Sequence, residues 1–308
     1  MAVRSDPLGN PEQREARARL DGDTVFLVAV YIILSVVAVV AAYPLVYVVS
    51  ASFSSPLALV SGRVWLLPVE PTIDAYIHVY ENQSIWMGYR NTVFYTVVGT
   101  TINVILTILA AYPLSRRDLK GRGALMMVIV FTMFFRGGLI PEYLVVRSLG
   151  MVNTVWAMLI PNAIIAFNVI VMRTFFQTNI PDELRDSAFM DGATNTRFLI
   201  SVVLPLSGPA IAVIILFYAV FHWNSFFQAL IYLSNRQLYP LQLVLRQILI
   251  QTQVDEMVGS DAGFTERVLR GEALKYAVII VASLPMLMLY PFIQRFFVKG
   301  VMIGALKG

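Results

Sequence analysis

Six apolar stretches, at roughly 25–51, 92–114, 124–146, 154–176, 208–233 and 275–297, constrain this chain more than anything else in it. A bilayer core takes about 20 apolar residues to cross as a helix. Inside lipid there is no water to bond, so each crossing segment must satisfy its own backbone N–H and C=O groups, and a helix does so. The composition agrees. Of the 308 residues 58% are hydrophobic and 14% charged, where a soluble domain carries about a quarter charged. Mean hydropathy is +0.71. The expected fold class is all-α: a polytopic membrane protein of about six transmembrane helices.

Orientation follows from where Lys and Arg fall in the loops. With the N-terminus inside, the inner loops hold most of the 23 basic residues. The tight cluster Arg116-Arg117-Asp118-Leu119-Lys120 is the strongest single vote. Both termini are expected in the cytoplasm. The net charge of +4 reflects this loop bias and gives no reason to invoke nucleic acid. The first apolar segment is longer than a signal-peptide core and reads as a retained helix. There are no cysteines, so a disulfide framework and a thiolate metal site are both excluded.

The expected organisation is a polar N-terminal tail over 1–22 and a membrane domain over 23–308. Residues 52–91 carry Pro56, Pro68, Pro71 and several Trp and Tyr, the mixture of a folded cap or an aromatic belt at the headgroup level. The third segment is interrupted by Arg136-Gly137-Gly138 and Pro141-Glu142, and is expected to cross as far as about Phe135 and then turn along the outer face. Loop 177–197 is cytoplasmic. Loop 234–274 is long, outward and polar.

No Asp, Glu, Lys or Arg stands at mid-depth in these segments, and His222 is the one titratable candidate there. Carriers driven by proton or sodium gradients generally need membrane carboxylates. No G-x-x-x-x-G-K-[ST] occurs either. Active transport by this chain would need energy from a docked subunit. No metal-ligand set, G-x-S-x-G or H-E-x-x-H is present, and no cofactor is expected.

The 177–197 loop is built to display a helix. Pro181 suits a first turn, and Asp182 and Glu183 favour its positive end. Leu184, Ser187, Ala188 and Asp191 fall at i, i+3, i+4 and i+7. Gly192 is placed to end the helix at positive φ, and Thr194 to cap the next one. Periodicity alone leaves two readings open: a docking element, or an amphipathic turn on the headgroups. The stretch Asp186-Ser187-Ala188-Phe189-Met190-Asp191-Gly192, then Val202-Val203-Leu204-Pro205, resembles the EAA loop of ABC importer permeases, with Asp186 for Glu, Ser187 for Ala and Val202 for Ile.

The resemblance covers nearly the whole chain after residue 20. Trp223-Asn224-Ser225-Phe226-Phe227, then Leu230-Ile231-Tyr232-Leu233 and Tyr239-Pro240-Leu241, is similar to the fifth-helix pattern of carbohydrate permeases, with Ala229 where that family usually has Pro. The tail Arg295 to Gly308 is similar to their F-V-x-G…G-A-x-K-G ending. Together these resemble the MalG-type permeases of oligosaccharide ABC importers, in particular the LplC/YtcP-like branch. The resemblance implies the type I ABC importer permease fold. It implies a homologous second permease, two ATP-binding cassette ATPases that hydrolyse the ATP, an extracytoplasmic solute-binding protein, and a lipid setting in a prokaryotic plasma membrane. The ATPase-coupling residues would be Leu184, Asp186, Ser187, Ala188, Asp191 and Gly192. Loop 234–274 would reach the binding protein, or serve as a passive connector.

Sugar recognition calls for aromatic faces and amide or hydroxyl partners in a largely apolar cavity. Within the spans Asn103, Asn162, Asn168, Tyr218, His222, Trp223, Asn224 and Gln228 are the candidates, with Asn162, Asn168, His222 and Asn224 preferred. Polar residues in membranes also bridge helices, and that reading stays open for each. The absence of a mid-depth cation favours a neutral sugar. The competing classes are a membrane enzyme acting on lipid or glycan, for which Arg136 with Glu142 is the one tempting pair, a passive channel, and an importer of a non-sugar solute.

Overall fold

The computed structural model describes residues 11–135, 137–258, 269 and 271–288, with the backbone alone over 11–22 and 252–258. Arg136, the first ten residues, residues 259–268 and 270 of the expected 234–274 loop, and residues 289–308, which hold the tail motif, lie outside the described residues.

The chain divides into two compact units, Met1–Ile73 and Asp74–Gly308. In the first, helix α1 (Pro11–Ser52) runs unbroken across the 22/23 boundary expected from sequence. Its end is capped by its own following loop. Ser50 Oγ donates to Leu66 O, and Val69 N donates to Ser54 Oγ. Arg63 pairs with Glu70 at 3.2 Å, and the Ser55 hydroxyl donates to the same carboxylate. Loop 52–73 is therefore a folded cap.

The second unit is built around α2 (Gln83–Ser115), a single helix of 33 residues. Its buried positions include Gly88, Asn91, Thr92, Tyr95, Gly99, Thr100, Asn103, Thr107 and Ala111. They recur every three or four residues and are mostly small or polar. Lipid tails are as apolar as Leu, so membrane helices associate through such close-packing and hydrogen-bonding stripes. This stripe packs against α5 (Ala166–Asn179), α7 (Gly208–Trp223) and α9 (Leu241–Val258). The third segment forms α3 (Arg122–Phe134) and α4 (Leu139–Ser148), bent by 115° where a turn was expected. Helix α6 (Asp182–Met190) follows α5, and α8 (Phe227–Tyr232) follows α7. Helix α10 covers Gly271–Met288.

Among the described residues three helices are long and apolar enough to cross a bilayer, within Asp23–Ser52, Gln83–Ser115 and Gly271–Met288, and two bent pairs extend the set to as many as five. Three segments differ from the sequence expectation. The expected loop 234–274 is not all loop: Leu241–Val258 is helix α9, and its Leu241, Leu243, Val244 and Leu245 are buried, an apolar run able to pack as a helix. The stretch 154–176 is not one helix: a turn at Trp156–Leu159 is followed by a non-helical link over 160–165 before α5 begins. Pro161 sits in that link, and a proline inside a helix removes a donor and clashes with the preceding turn. The stretch 208–233 is not one helix either. Helix α7 ends at Trp223, where the Asn224 amide donates to Val220 O and so competes with the backbone ladder. A further irregularity is a π-helical turn, Leu199–Val203, just ahead of Pro205, whose missing N–H already interrupts the ladder there.

Candidate functional site

The two broken segments meet. A cavity of about 500 Å³ is lined by Asn162 from the 160–165 link and by Asn224, Ser225 and Phe226 from the break after α7. Phe221, Gln228, Tyr232, Leu139 and Glu142 also line it, and Val220, Phe227 and Ile231 add apolar wall. Non-helical backbone at membrane depth is tolerated where it is buried in protein or lines a cavity. Here the freed backbone groups find side-chain partners: Asn103 Nδ2 donates to Asn162 O at 3.3 Å, and Ile165 N donates to Tyr218 Oη at 3.1 Å. Tyr232 Oη donates to Glu142 Oε1 at 3.2 Å, and the Tyr143 and Tyr232 rings stack at 6.1 Å. Gln228 Oε1 is buried without a partner among the described residues. The cavity thus offers amides, a carboxylate and aromatic faces, the groups that bind polyhydroxylated ligands.

Of the preferred polar candidates, Asn162 and Asn224 line this cavity. His222 and Asn168 do not. Both are buried in the helix packing: His222 Nε2 lies 3.3 Å from Asn103 Nδ2, and Asn168 is packed inside α5. Gln228, one of the wider candidates, does line it. Glu142 is the residue sequence reasoning undervalued. No acid stands at mid-depth along any one segment, yet the turn between α3 and α4 brings this one onto the cavity wall. The glycine pair Gly137-Gly138 and Pro141, which break the third segment, were the available signal.

At the other end of α5 the helix α6 forms as its sequence dictates. Pro181 takes the N-cap position, one residue earlier than expected, and Asp182 and Glu183 occupy the first turn. Gly192 has φ +78°, its N–H reaches Phe189 O, and Ala193 N reaches Ala188 O at 2.9 Å. These are the two bonds of a Schellman stop. Thr194 Oγ1 accepts from Arg197 N at 3.3 Å and starts the next helix. The expected single face is split, however. Ala188 packs inward against the cluster formed by Leu114, Phe176, Phe198 and Val203. Leu184 is half-exposed, and Asp186, Ser187, Asp191 and Gly192 face out with Met190, which is 89% exposed. Met190 carries the largest free apolar surface of the helix. It lies inside the EAA-like stretch, but not at the positions that periodicity selected.

The basic cluster after α2 holds this helix in place. Asp118 accepts from Arg116 Nε and Nη2, both at 2.9 Å, and from Arg185 Nη2 at 3.3 Å. Arg116 Nη1 also donates to Asn195 Oδ1 at 2.9 Å, and Arg117 lies 3.5 Å from Asp182. The hydrogen bonds from Arg116, with the added charge of Arg185, hold the Asp118 carboxyl down to about 2. Sequence reading used these arginines only for orientation. Their second role, joining the loop after α2 to α6, needed the fold.

The sequence pattern of binding-protein-dependent transport system inner membrane components matches residues 83–303. The polygalacturonan/rhamnogalacturonan transport system permease protein YtcP of Bacillus subtilis (strain 168) is 43% identical over 289 residues, 92% of this chain and 99% of that one. Protein LplC of the same organism is 40% identical over 284 residues, 92% of this chain and 95% of that one. A crystal structure of a bacterial ABC transporter involved in the import of the acidic polysaccharide alginate superposes with a TM-score of 0.81 and 33% identity, covering 95% of this chain and 100% of the matched chain.

Proposed function

Because the chain belongs to the family of binding-protein-dependent transport system inner membrane components, we propose that it is the transmembrane permease of an ATP-driven ABC importer carrying a sugar or oligosaccharide into the cytoplasm by alternating access. ATP hydrolysis resides on two separate ATPase subunits, a second homologous permease completes the pore, and an extracytoplasmic binding protein delivers the sugar. The chain lies in a prokaryotic plasma membrane with both termini inside, so that α6 and the Arg116–Lys120 loop face the cytoplasm and the cavity opens towards the outside.

One observation supports the reading most. Helix α5 links α6 directly to the unwound stretch at Asn162. Its 14 residues span about 21 Å at 1.5 Å per residue. It packs on α2 and α7 as a rigid rod, so displacement of α6 by an ATPase is delivered to the cavity wall. The docking surface is Asp186, Ser187, Met190, Asp191 and Gly192 with the edge of Leu184, while Ala188 fixes the helix to its own core. Asn162 and Asn224 are the sugar contacts, with Glu142, Tyr232 and Gln228 beside them. His222 and Asn168 serve helix packing.

Two observations pull apart on the charge of the cargo. The described cavity lining carries Glu142 and no cation, which favours a neutral sugar. Two of the similar proteins handle acidic polymers by their names, polygalacturonan and alginate, which favours a uronate oligosaccharide with its cation supplied from elsewhere. Uptake by cells carrying the full importer, with neutral and uronate oligosaccharides in competition, separates the two. Co-isolation tests the assembly. If the chain purified from its own membranes carries neither an ATPase nor a second permease, the importer reading fails.

A further inference from the structure

A second cavity, of about 770 Å³, lies behind α6 at the ends of α2 and α5 and is unused by the transport reading. Five arginines line it: Arg116, Arg117, Arg122, Arg173 and Arg185. The carboxylates on its wall are Asp182 and Glu183. The arginines are not equivalent. Arg116 and Arg185 share the single carboxylate of Asp118, which leaves one positive charge over between them, and Arg117 pairs with Asp182. Arg122 and Arg173 have no carboxylate partner among the described residues. Each is half-buried and held by one bond to a backbone carbonyl, Arg122 Nη1 to Arg116 O at 3.2 Å and Arg173 Nε to Leu114 O at 3.1 Å. That leaves each guanidinium with further donors on the cavity. Arg185 Nε is buried and likewise lacks a partner.

Partly buried cations without counter-charge are unfavourable unless something anionic completes them. We propose that this cavity is a binding site for a phosphate group. A guanidinium presents planar paired donors that match oxyanions. A tetrahedral phosphate offers three free oxygens to Arg122, Arg173 and Arg185 at once, where a single carboxylate offers two. The volume admits a phosphomonoester or the headgroup of an anionic phospholipid, which share this chemistry. Since α6 forms one wall, occupancy braces the coupling helix against α2 and α5; that consequence rests on the proposed docking role, whereas binding itself does not.

The test uses the full-length chain in nanodiscs of neutral phosphatidylcholine, with binding read separately from uptake. Glycerol 3-phosphate is titrated at constant ionic strength and followed by calorimetry and melting temperature. In parallel, discs containing phosphatidylglycerol are compared without added ligand. Saturable glycerol 3-phosphate binding identifies a soluble ester as occupant. A higher melting temperature in phosphatidylglycerol, with no further effect of the ester, identifies lipid. In either case Arg173→Gln and Arg122→Gln each weaken the effect about tenfold, while the exposed, ion-paired Arg117→Gln retains it within about threefold. The proposal is overturned if neither ligand acts, if galacturonate binds as tightly as the ester, or if Arg117→Gln weakens the effect as much as Arg173→Gln. Loss of uptake with phosphate binding intact would count against the transport reading and not against this site.

Discussion

Gly99 lies where α2 meets α7. A Cβ at this position would stand 2.4 Å from His222 Nε2, 2.5 Å from Cε1 and 2.9 Å from Cδ2. Ordinary contact begins at 3.4 Å, so Gly99→Ala requires the ring or the helices to yield by about 1 Å. The ring has little room. It is buried, set edge-on against Phe221, and hydrogen-bonded to Asn103. Overpacking of this kind costs about 1–3 kcal/mol. Loss of the Asn103–His222 bond adds about 0.6 kcal/mol, the average for such bonds between membrane helices. The expected destabilisation is about 2–4 kcal/mol. Reversible unfolding by sodium dodecyl sulfate in mixed micelles measures it, with His222→Ala and the double variant completing a cycle. His222→Ala alone is destabilising because it leaves a cavity. In the double variant the added methyl enters the space the ring vacated, so its loss is smaller than the sum of the two by about 1–2 kcal/mol. A Gly99→Ala protein as stable as the wild type would refute the close approach. So would strictly additive losses.

The other expectations concern the two ends of α5. Gly192→Asp meets nothing within 4 Å of the new Cβ and has only the positive φ to accommodate, so stability falls by no more than about 1 kcal/mol while sugar uptake is lost; normal uptake in that variant would sink the docking role of α6. Met190→Asp leaves the melting temperature unchanged, because the side chain is 89% exposed, but weakens ATPase co-isolation by about tenfold or more. The Asp118 carboxyl titrates at about 2 against an ordinary 3.8; its folded value is depressed, so its stabilisation is complete above about pH 4 and lost as pH falls through about 2. Asp118→Asn therefore lowers stability at neutral pH, by no more than about 1 kcal/mol for a half-exposed group, and the gap to wild type closes in acid. Glu142→Gln shifts competition between uronate and neutral oligosaccharides about tenfold towards the uronate, and an unchanged ratio would remove Glu142 from the sugar path.

Local rules made much of this protein legible before any coordinates. The length of its apolar runs dictated membrane helices, because lipid leaves the backbone no other partners. The Pro181 to Thr194 stretch carried its own start and stop signals, and the structure has them: an acidic first turn, a Schellman glycine at Gly192 and a capping Thr194. What periodicity could not supply was rotation about the axis of α6. Which residues face out depends on the cluster of Leu114, Phe176, Phe198 and Val203 that Ala188 packs against, and those come from three other segments. The same reason hid the cavity. Pro161 and Asn224 mark where single helices break, but that the two breaks meet, with Glu142 beside them, is decided by how α5 and α7 pack along α2. Sequence reports each segment's hydrogen-bonding options one at a time. The arginine pair left without carboxylates and the asparagines left without helices become candidate sites only when the tertiary structure brings their unmet donors and acceptors to one place.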